Sequence, residues 1–64
     1  MESFIYTNNW GFKKRLEIDT AHPKDGKYFS TIWNLNTGDL CSSGYNTPQE
    51  LMQFLRQYGI IAKL

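Results

Sequence analysis

The chain has 64 residues, among them two Trp, four Tyr and four Phe, and a formal net charge of +1 at pH 7. This length predicts one domain over residues 1–64. The nearly balanced charge argues against nucleic-acid binding by bulk electrostatics but leaves room for a local basic patch. One cysteine and one histidine cannot form an intramolecular disulfide or a Cys/His zinc site, so we expect no metal and no other cofactor.

The N-terminal stretch MESFIYTNNW lacks the charged, apolar and small-residue blocks of a signal peptide. No apolar run approaches the roughly 20 residues that span a bilayer, and a free cysteine suits a reducing compartment. These features predict a cytoplasmic protein without membrane contact.

Four strands are predicted ahead of a single helix. Three four-residue stretches that end in glycine separate the strands, as in type I turns closed by a glycine bulge: NNWG, PKDG and LNTG. The strands alternate in polarity or are rich in β-branched and aromatic residues: SFIYT, FKKRLEID, KYFSTIWNL and DLCSSGY. The stretch TAHPKDGK is typical of a hairpin loop. Strands joined by such short turns form an antiparallel meander.

The second and third predicted strands each have two different sides, because alternate strand residues share a face. We expect the side richer in apolar residues to face the core: Phe12, Leu16, Ile18, Phe29, Trp33 and Leu35. The other side then faces away from the core: Lys13, Arg15, Tyr28, Ser30, Ile32 and Asn34.

The stretch NTPQELMQFLRQYG has the clearest helix pattern in the chain. Thr47 as N-cap and Glu50 three residues later form a capping box, with Pro48 at the first helical position. Gly59 is placed to end the helix. An apolar stripe follows at helical spacing: Leu51, Phe54, Leu55 and Tyr58.

A single amphipathic helix must bury its stripe against an apolar surface, and a sheet face is the only one available. We therefore predict the α+β fold class, with a four-stranded antiparallel β-meander and one C-terminal α-helix packed on one face, as a single ββββα domain. The apolar tail (Ile60, Ile61 and Leu64) and the aromatic content exceed what one helix can cover. We expect a homodimer or an obligate partner contact for this reason.

Catalytic patterns are missing from the sequence. His22 lies in a Pro-containing stretch far in sequence from Ser42 and Ser43, and the carboxylates are scattered. Nothing resembles a nucleophile elbow, a spaced triad or a phosphate-binding loop. The sequence therefore predicts a binding module and not an enzyme.

Basic and aromatic residues suggest where such a module would bind. Bases can stack on exposed rings while cations neutralise phosphates, although a charged strand face is usually only the solvated one. The candidate binding residues for nucleic acid or another partner are Trp10, Lys13, Arg15, Lys24, Lys27, Tyr28 and Ile32. The Trp10 side chain, in the NNWG turn, is either exposed to solvent or folded back over the edge of the sheet.

The order of four strands and a helix, with KYFSTIW on the third strand and TGDLCSSGYNTPQELMQFLRQYG after it, resembles the transcriptional positive-cofactor family of single-stranded DNA-binding proteins. Lys27, Tyr28 and Trp33 are similar to the lysine and aromatics of that family's third strand. Thr47 and Glu50 are similar to the cap and acidic residue that open its helix. The resemblance implies a sheet that binds single strands and helices that pair protomers.

Two functions stay open at this point. One is a regulatory module that binds single-stranded nucleic acid through the basic and aromatic sheet face. The other is a protein-binding regulator or inhibitor, for example of phage or mobile-element origin, which acts through an apolar surface or through the tail.

Overall fold

The computed structural model describes residues 1–64 and has the element order ββββα. The strands form one antiparallel sheet in the order β1-β2-β3-β4, and the helix follows the last strand. This confirms the predicted α+β fold class. The elements are β1 (Glu2–Thr7), β2 (Lys13–Lys24), β3 (Lys27–Asn34), β4 (Leu40–Asn46) and α1 (Pro48–Arg56).

Asn8 organises the turn between β1 and β2. Its carbonyl accepts from the Gly11 amide at 3.0 Å, and its side-chain Oδ1 accepts from the amides of Trp10 (3.0 Å) and Phe12 (2.9 Å). Gly11 has φ +85°, the left-handed region that glycine adopts without a steric penalty. The NNWG turn therefore has the predicted form.

The next two turns differ from the prediction. Asp25 (φ +53°) and Gly26 (φ +74°) are both left-handed, as in the two-residue type I′ turn that matches the twist of a hairpin. Strand β2 consequently runs on to Lys24, through residues predicted to form a loop. In the last turn the Gly38 amide donates to the Asn34 carbonyl at 2.7 Å, so this turn begins one residue earlier than predicted.

The irregular pairing of β2 decides which side of β3 faces the helix. An uninterrupted hairpin from the Lys24–Lys27 pair would set Ile18 opposite Trp33. The register shift between Asp19 and Lys24 sets Ile18 opposite Ser30 instead, which is a displacement of three residues. Because side chains alternate with a period of two, an odd displacement turns the whole strand over.

The predicted faces of β3 are therefore wrong. Tyr28 and Ile32 pack against the core on the helix side, although we expected them to face away. Phe29 and Trp33 lie on the other side of the sheet, where Phe29 is 39% exposed. Phe12, also expected in the core, precedes β2 and is 45% exposed.

The core lies between the sheet and α1, as predicted. Five hydrophobic residues are buried there: Tyr6, Leu16, Ile18, Leu51 and Leu55. Phe54 and Tyr58 pack against them, and the ring of Tyr6 contacts both, with centroids 5.5 and 4.4 Å away. Burial raises the pKa of the Tyr6 hydroxyl to about 12, with a smaller contribution from Tyr58.

The two ends of α1 follow local rules. The Thr47 hydroxyl accepts from the Glu50 amide (3.2 Å), and the Glu50 carboxylate accepts from the Thr47 amide (2.9 Å), which completes the predicted capping box. After the helix, Gly59 has φ +76°. Its amide donates to the Arg56 carbonyl, and the Ile60 amide donates to the Leu55 carbonyl. This is the Schellman pattern with Gly59 at C′.

The C-terminal tail is covered in part by the chain itself. Ile60, Ala62 and Leu64 pack against the core, whereas Ile61 is 79% exposed. No helix in the chain is long and apolar enough to cross a membrane.

Candidate functional site on the uncovered sheet face

The helix covers one face of the sheet and leaves the other face uncovered. The Cα atoms extend only 14 Å along the shortest principal axis, as expected for one sheet with one helix layer. We call the uncovered surface the open face. Cross-strand partners share a face, so the pairings define its members from β1 to β4: Ser3, Ile5, Thr7, Lys13, Arg15, Glu17, Asp19, Phe29, Thr31, Trp33, Leu40, Ser43 and Tyr45.

Apolar and aromatic side chains account for much of the open face. Ile5 is 55% exposed, Leu40 52%, Tyr45 48% and Phe29 39%. Scattered exposed hydrophobic residues are normal on proteins. Here, however, they share one side of one sheet, and exposed apolar side chains gathered on one face are typical of a binding surface.

Phe29 and Tyr45 form an aromatic pair on neighbouring strands. They are directly opposite each other in the β3–β4 register, and their ring centroids lie 5.3 Å apart with an interplanar angle of 64°. The Nζ atom of Lys24 lies 5.7 Å from the centroid of the Tyr45 ring, within the range of a cation–π interaction. This end of the open face therefore combines two exposed rings with a cation.

Trp33 lies at the other end of the open face, between Arg15 and Leu40 in the register. Its indole Nε1 donates to Oε1 of Glu17 at 2.7 Å. A depression of about 250 Å³ opens beside this pair, lined by Arg15, Glu17, Trp33, Asn34, Leu35 and Gly38. The hydrogen bond fixes the carboxylate at the edge of the indole and leaves the depression polar on one side.

The basic residues of β2 divide between the two faces. Lys13 and Arg15 lie on the open face, as alternation predicts, and the Lys13 amide is held by the Asn36 side chain (2.8 Å). Lys14 lies on the opposite face, where its Nζ contacts Sγ of the exposed Cys41 at 3.0 Å. Only two of the three consecutive cations therefore belong to the open face.

The predicted binding residues do not form one cluster. Lys24 and Lys27 flank the type I′ turn at one end of β2, whereas Trp10, 82% exposed, lies in the turn that precedes the other end. Trp10 is thus exposed to solvent and does not cover the sheet edge. Tyr28 and Ile32 lie on the covered face, so they cannot belong to a site on the open face.

Sequence reasoning missed the residues that replace them. Phe29, Trp33 and Tyr45 supply the rings of the open face, and Glu17 supplies a carboxylate at Trp33. To predict these residues, one must know the register between β2 and β3, which sets the exposed side of β3. The sequence does not determine this register, because both sides of β3 carry large apolar residues.

Asp19 adds negative charge beside Phe29, its partner in the register. Its carboxylate contacts Nδ1 of His22 at 3.1 Å, which is the only ion pair of the chain when His22 is protonated. The hydrogen bond from His22, followed by the one from the Ala21 amide, holds the pKa of Asp19 below its ordinary value. Asp19 is therefore ionised at neutral pH, and the open face is not uniformly basic.

No group of three or more His, Cys, Asp or Glu side chains is arranged to hold a metal ion.

Comparison with protein-family models, curated proteins and solved structures gives no match for this chain. The resemblance to the positive-cofactor family stays a prediction.

Proposed function

We propose that the protein is a small, non-enzymatic regulatory module that binds single-stranded nucleic acid on its open face. The observation that supports this most is the exposure of Phe29 and Tyr45 on a sheet face that also contains Lys13 and Arg15. Aromatic rings on a flat sheet give bases a stacking surface, and nearby cations neutralise the phosphates of the same strand.

The charges suit local contact better than long-range attraction. Lys13 and Arg15 lie towards the Trp33 end of the open face, and Lys24 lies against Tyr45 at the other end. A nucleic-acid strand that stacks on both Trp33 and the Phe29–Tyr45 pair would therefore lie near cations at each end of the open face. The carboxylates of Glu17 and Asp19 lie between them, so we expect modest affinity that depends on stacking as much as on phosphate contacts.

A duplex does not fit this proposal, because its bases are already stacked on one another. Single strands present free base faces, and every base has a π-face, so stacking tolerates many sequences. We therefore propose single strands as the ligand class.

We place the function in the cytoplasm, since the exposed free thiol of Cys41 suits a reducing compartment.

A protein-binding regulator is the second candidate. Ile5 and Leu40 are more than half exposed on the open face, and neither can stack or bind phosphate. Aliphatic and aromatic side chains exposed together are typical of the centre of a protein interface. Under this proposal Phe29 and Trp33 would insert into a partner protein as anchors.

The two candidates are separated by titrating a fluorescently labelled oligothymidylate at several salt concentrations. Nucleic-acid binding predicts an affinity that falls steeply as salt rises. Phe29→Ala should weaken binding about 5- to 150-fold, since stacking on one ring contributes about 1–3 kcal/mol per base. Lys13→Gln with Arg15→Gln should lower the salt slope by about two units, one for each phosphate contact.

Lys14→Gln is the matched control, because Lys14 lies on the opposite face. This variant should bind like the parent protein. No binding to the oligonucleotide even at low salt would exclude the first candidate and leave the protein-binding one.

A further inference from the structure

The depression beside Trp33 differs chemically from the rest of the open face. A tryptophan, a glutamate and an arginine line its volume of about 250 Å³: Trp33, Glu17 and Arg15. At the other end, the Phe29–Tyr45 pair combines two rings with a lysine. No carboxylate forms a hydrogen bond with these two side chains. A planar ligand in the depression would therefore meet both a hydrogen-bond acceptor and a donor.

Glu17 is held in place and still has free acceptor capacity. Its Oε1 accepts from the Trp33 Nε1 at 2.7 Å, and an ionised carboxylate has about four lone-pair sites. It can accept further hydrogen bonds but cannot donate any. It would favour a ligand edge with two adjacent N–H groups and repel an edge that presents an acceptor.

Arg15 is free to act as the donor. It forms no ion pair with Glu17 or with another carboxylate, since the only ion pair of the chain joins Asp19 and His22. Arg15 is directly opposite Trp33 in the register and lines the same depression. The planar fork of its N–H groups matches two adjacent acceptors.

Among the bases, guanine alone has both complementary edges. It carries adjacent donors at N1 and N2 and adjacent acceptors at O6 and N7. Adenine and cytosine each place an acceptor nitrogen next to the amino group, and a carboxylate would repel that nitrogen. Thymine and uracil have a single N–H between two carbonyl oxygens, so a carboxylate can accept only one hydrogen bond from them.

We propose that the depression is a guanine-selective base site. The guanine ring stacks on the Trp33 indole, Glu17 accepts from N1–H and N2–H, and Arg15, which contacts a phosphate in an oligothymidylate, donates to O6 and N7 when guanine is present. Hydrogen bonds to charged groups are about twice as strong as neutral ones, so this pair can discriminate between bases where stacking cannot. The inference rests on the proposed single-strand function and adds base specificity to it.

The test compares labelled heptanucleotides that differ only at the central base. Thymidine surrounds a central guanine, adenine, cytosine, inosine or thymine. The parent protein should bind the guanine probe about 5- to 150-fold more tightly than the all-thymidine probe, the range of a good bidentate contact. Inosine lacks the N2 amino group and should fall between them.

Glu17→Gln should reduce the preference for guanine to what the Arg15 contact alone supports, and leave binding of the all-thymidine probe unchanged or tighter, because a negative charge near the phosphates is lost. A glutamine oxygen can still accept from the Trp33 Nε1, so this variant preserves the local fold. Asp19→Asn is the matched control: it neutralises the other carboxylate of the open face and should keep the preference.

Each result is decisive. Equal affinity for all five probes would overturn the guanine site while the proposed single-strand function stands. A guanine preference in Glu17→Gln as large as that of the parent protein would overturn the assignment of this residue. Failure to bind any probe would exclude both the site and the single-strand function.

Discussion

Leu55 is the most direct test of how the helix packs on the sheet. Its side chain is 0% exposed and belongs to the buried cluster with Leu16, Ile18 and Leu51. Leu55→Ala removes three carbon atoms, which corresponds to about 2.4 kcal/mol of transfer free energy. The cavity left behind adds to this, and fully buried leucines lose about 2–5 kcal/mol in total.

The whole protein has little stability to lose. At the usual stability per residue, 64 residues give about 3–10 kcal/mol of unfolding free energy. Each kcal/mol corresponds to about 4–8 °C of Tm in a domain of this size. We therefore expect Leu55→Ala to lower Tm by about 8 °C or more, or to leave the chain unfolded at room temperature, as measured by circular dichroism during heating and in urea.

The matched control is Gln53→Ala on the exposed side of the same helix. A surface substitution there should change stability by less than about 0.5 kcal/mol. A Leu55→Ala protein with the parent's Tm would refute the packing of α1 through this face. Equal losses in both variants would also contradict it, since alanine is the better helix former at both positions and the two substitutions differ in burial.

Two further predictions concern acid stability and assembly. Hydrogen bonds from the Thr47 amide and hydroxyl lower the pKa of Glu50 from its ordinary 4.5, so its stabilising effect is complete above pH 4.5 and is lost as pH falls through the lowered pKa. Glu50→Gln should show a shallower loss of urea-unfolding free energy between about pH 5 and pH 3, and parallel curves for the two proteins would contradict this. We also predict a homodimer or an obligate partner contact, because Ile61 in the apolar tail is exposed. Light scattering of the purified protein at high concentration measures the assembly directly, and a strict monomer that needs no partner for stability would contradict it.

The sequence by itself determined the helix and the order of the elements. The capping box at Thr47 and Glu50 and the left-handed Gly59 act within a few residues of one another, so their effect can be read from spacing alone. The inward face of β2 was also predictable at Leu16 and Ile18, because the alternate positions Arg15 and Glu17 are charged. The placement of Lys13 and Arg15 on the open face followed from that alternation.

Only the tertiary structure decided which side of β3 is exposed. Phe29 and Trp33 on one side and Tyr28 and Ile32 on the other are both apolar enough to face a core, so the hydrophobic pattern does not choose between them. The choice depends on the number of β2 residues left out of the ladder between Asp19 and Lys24. Pairing between distant strands sets that number, and because an odd displacement turns a strand over, it also decides which rings form the candidate site.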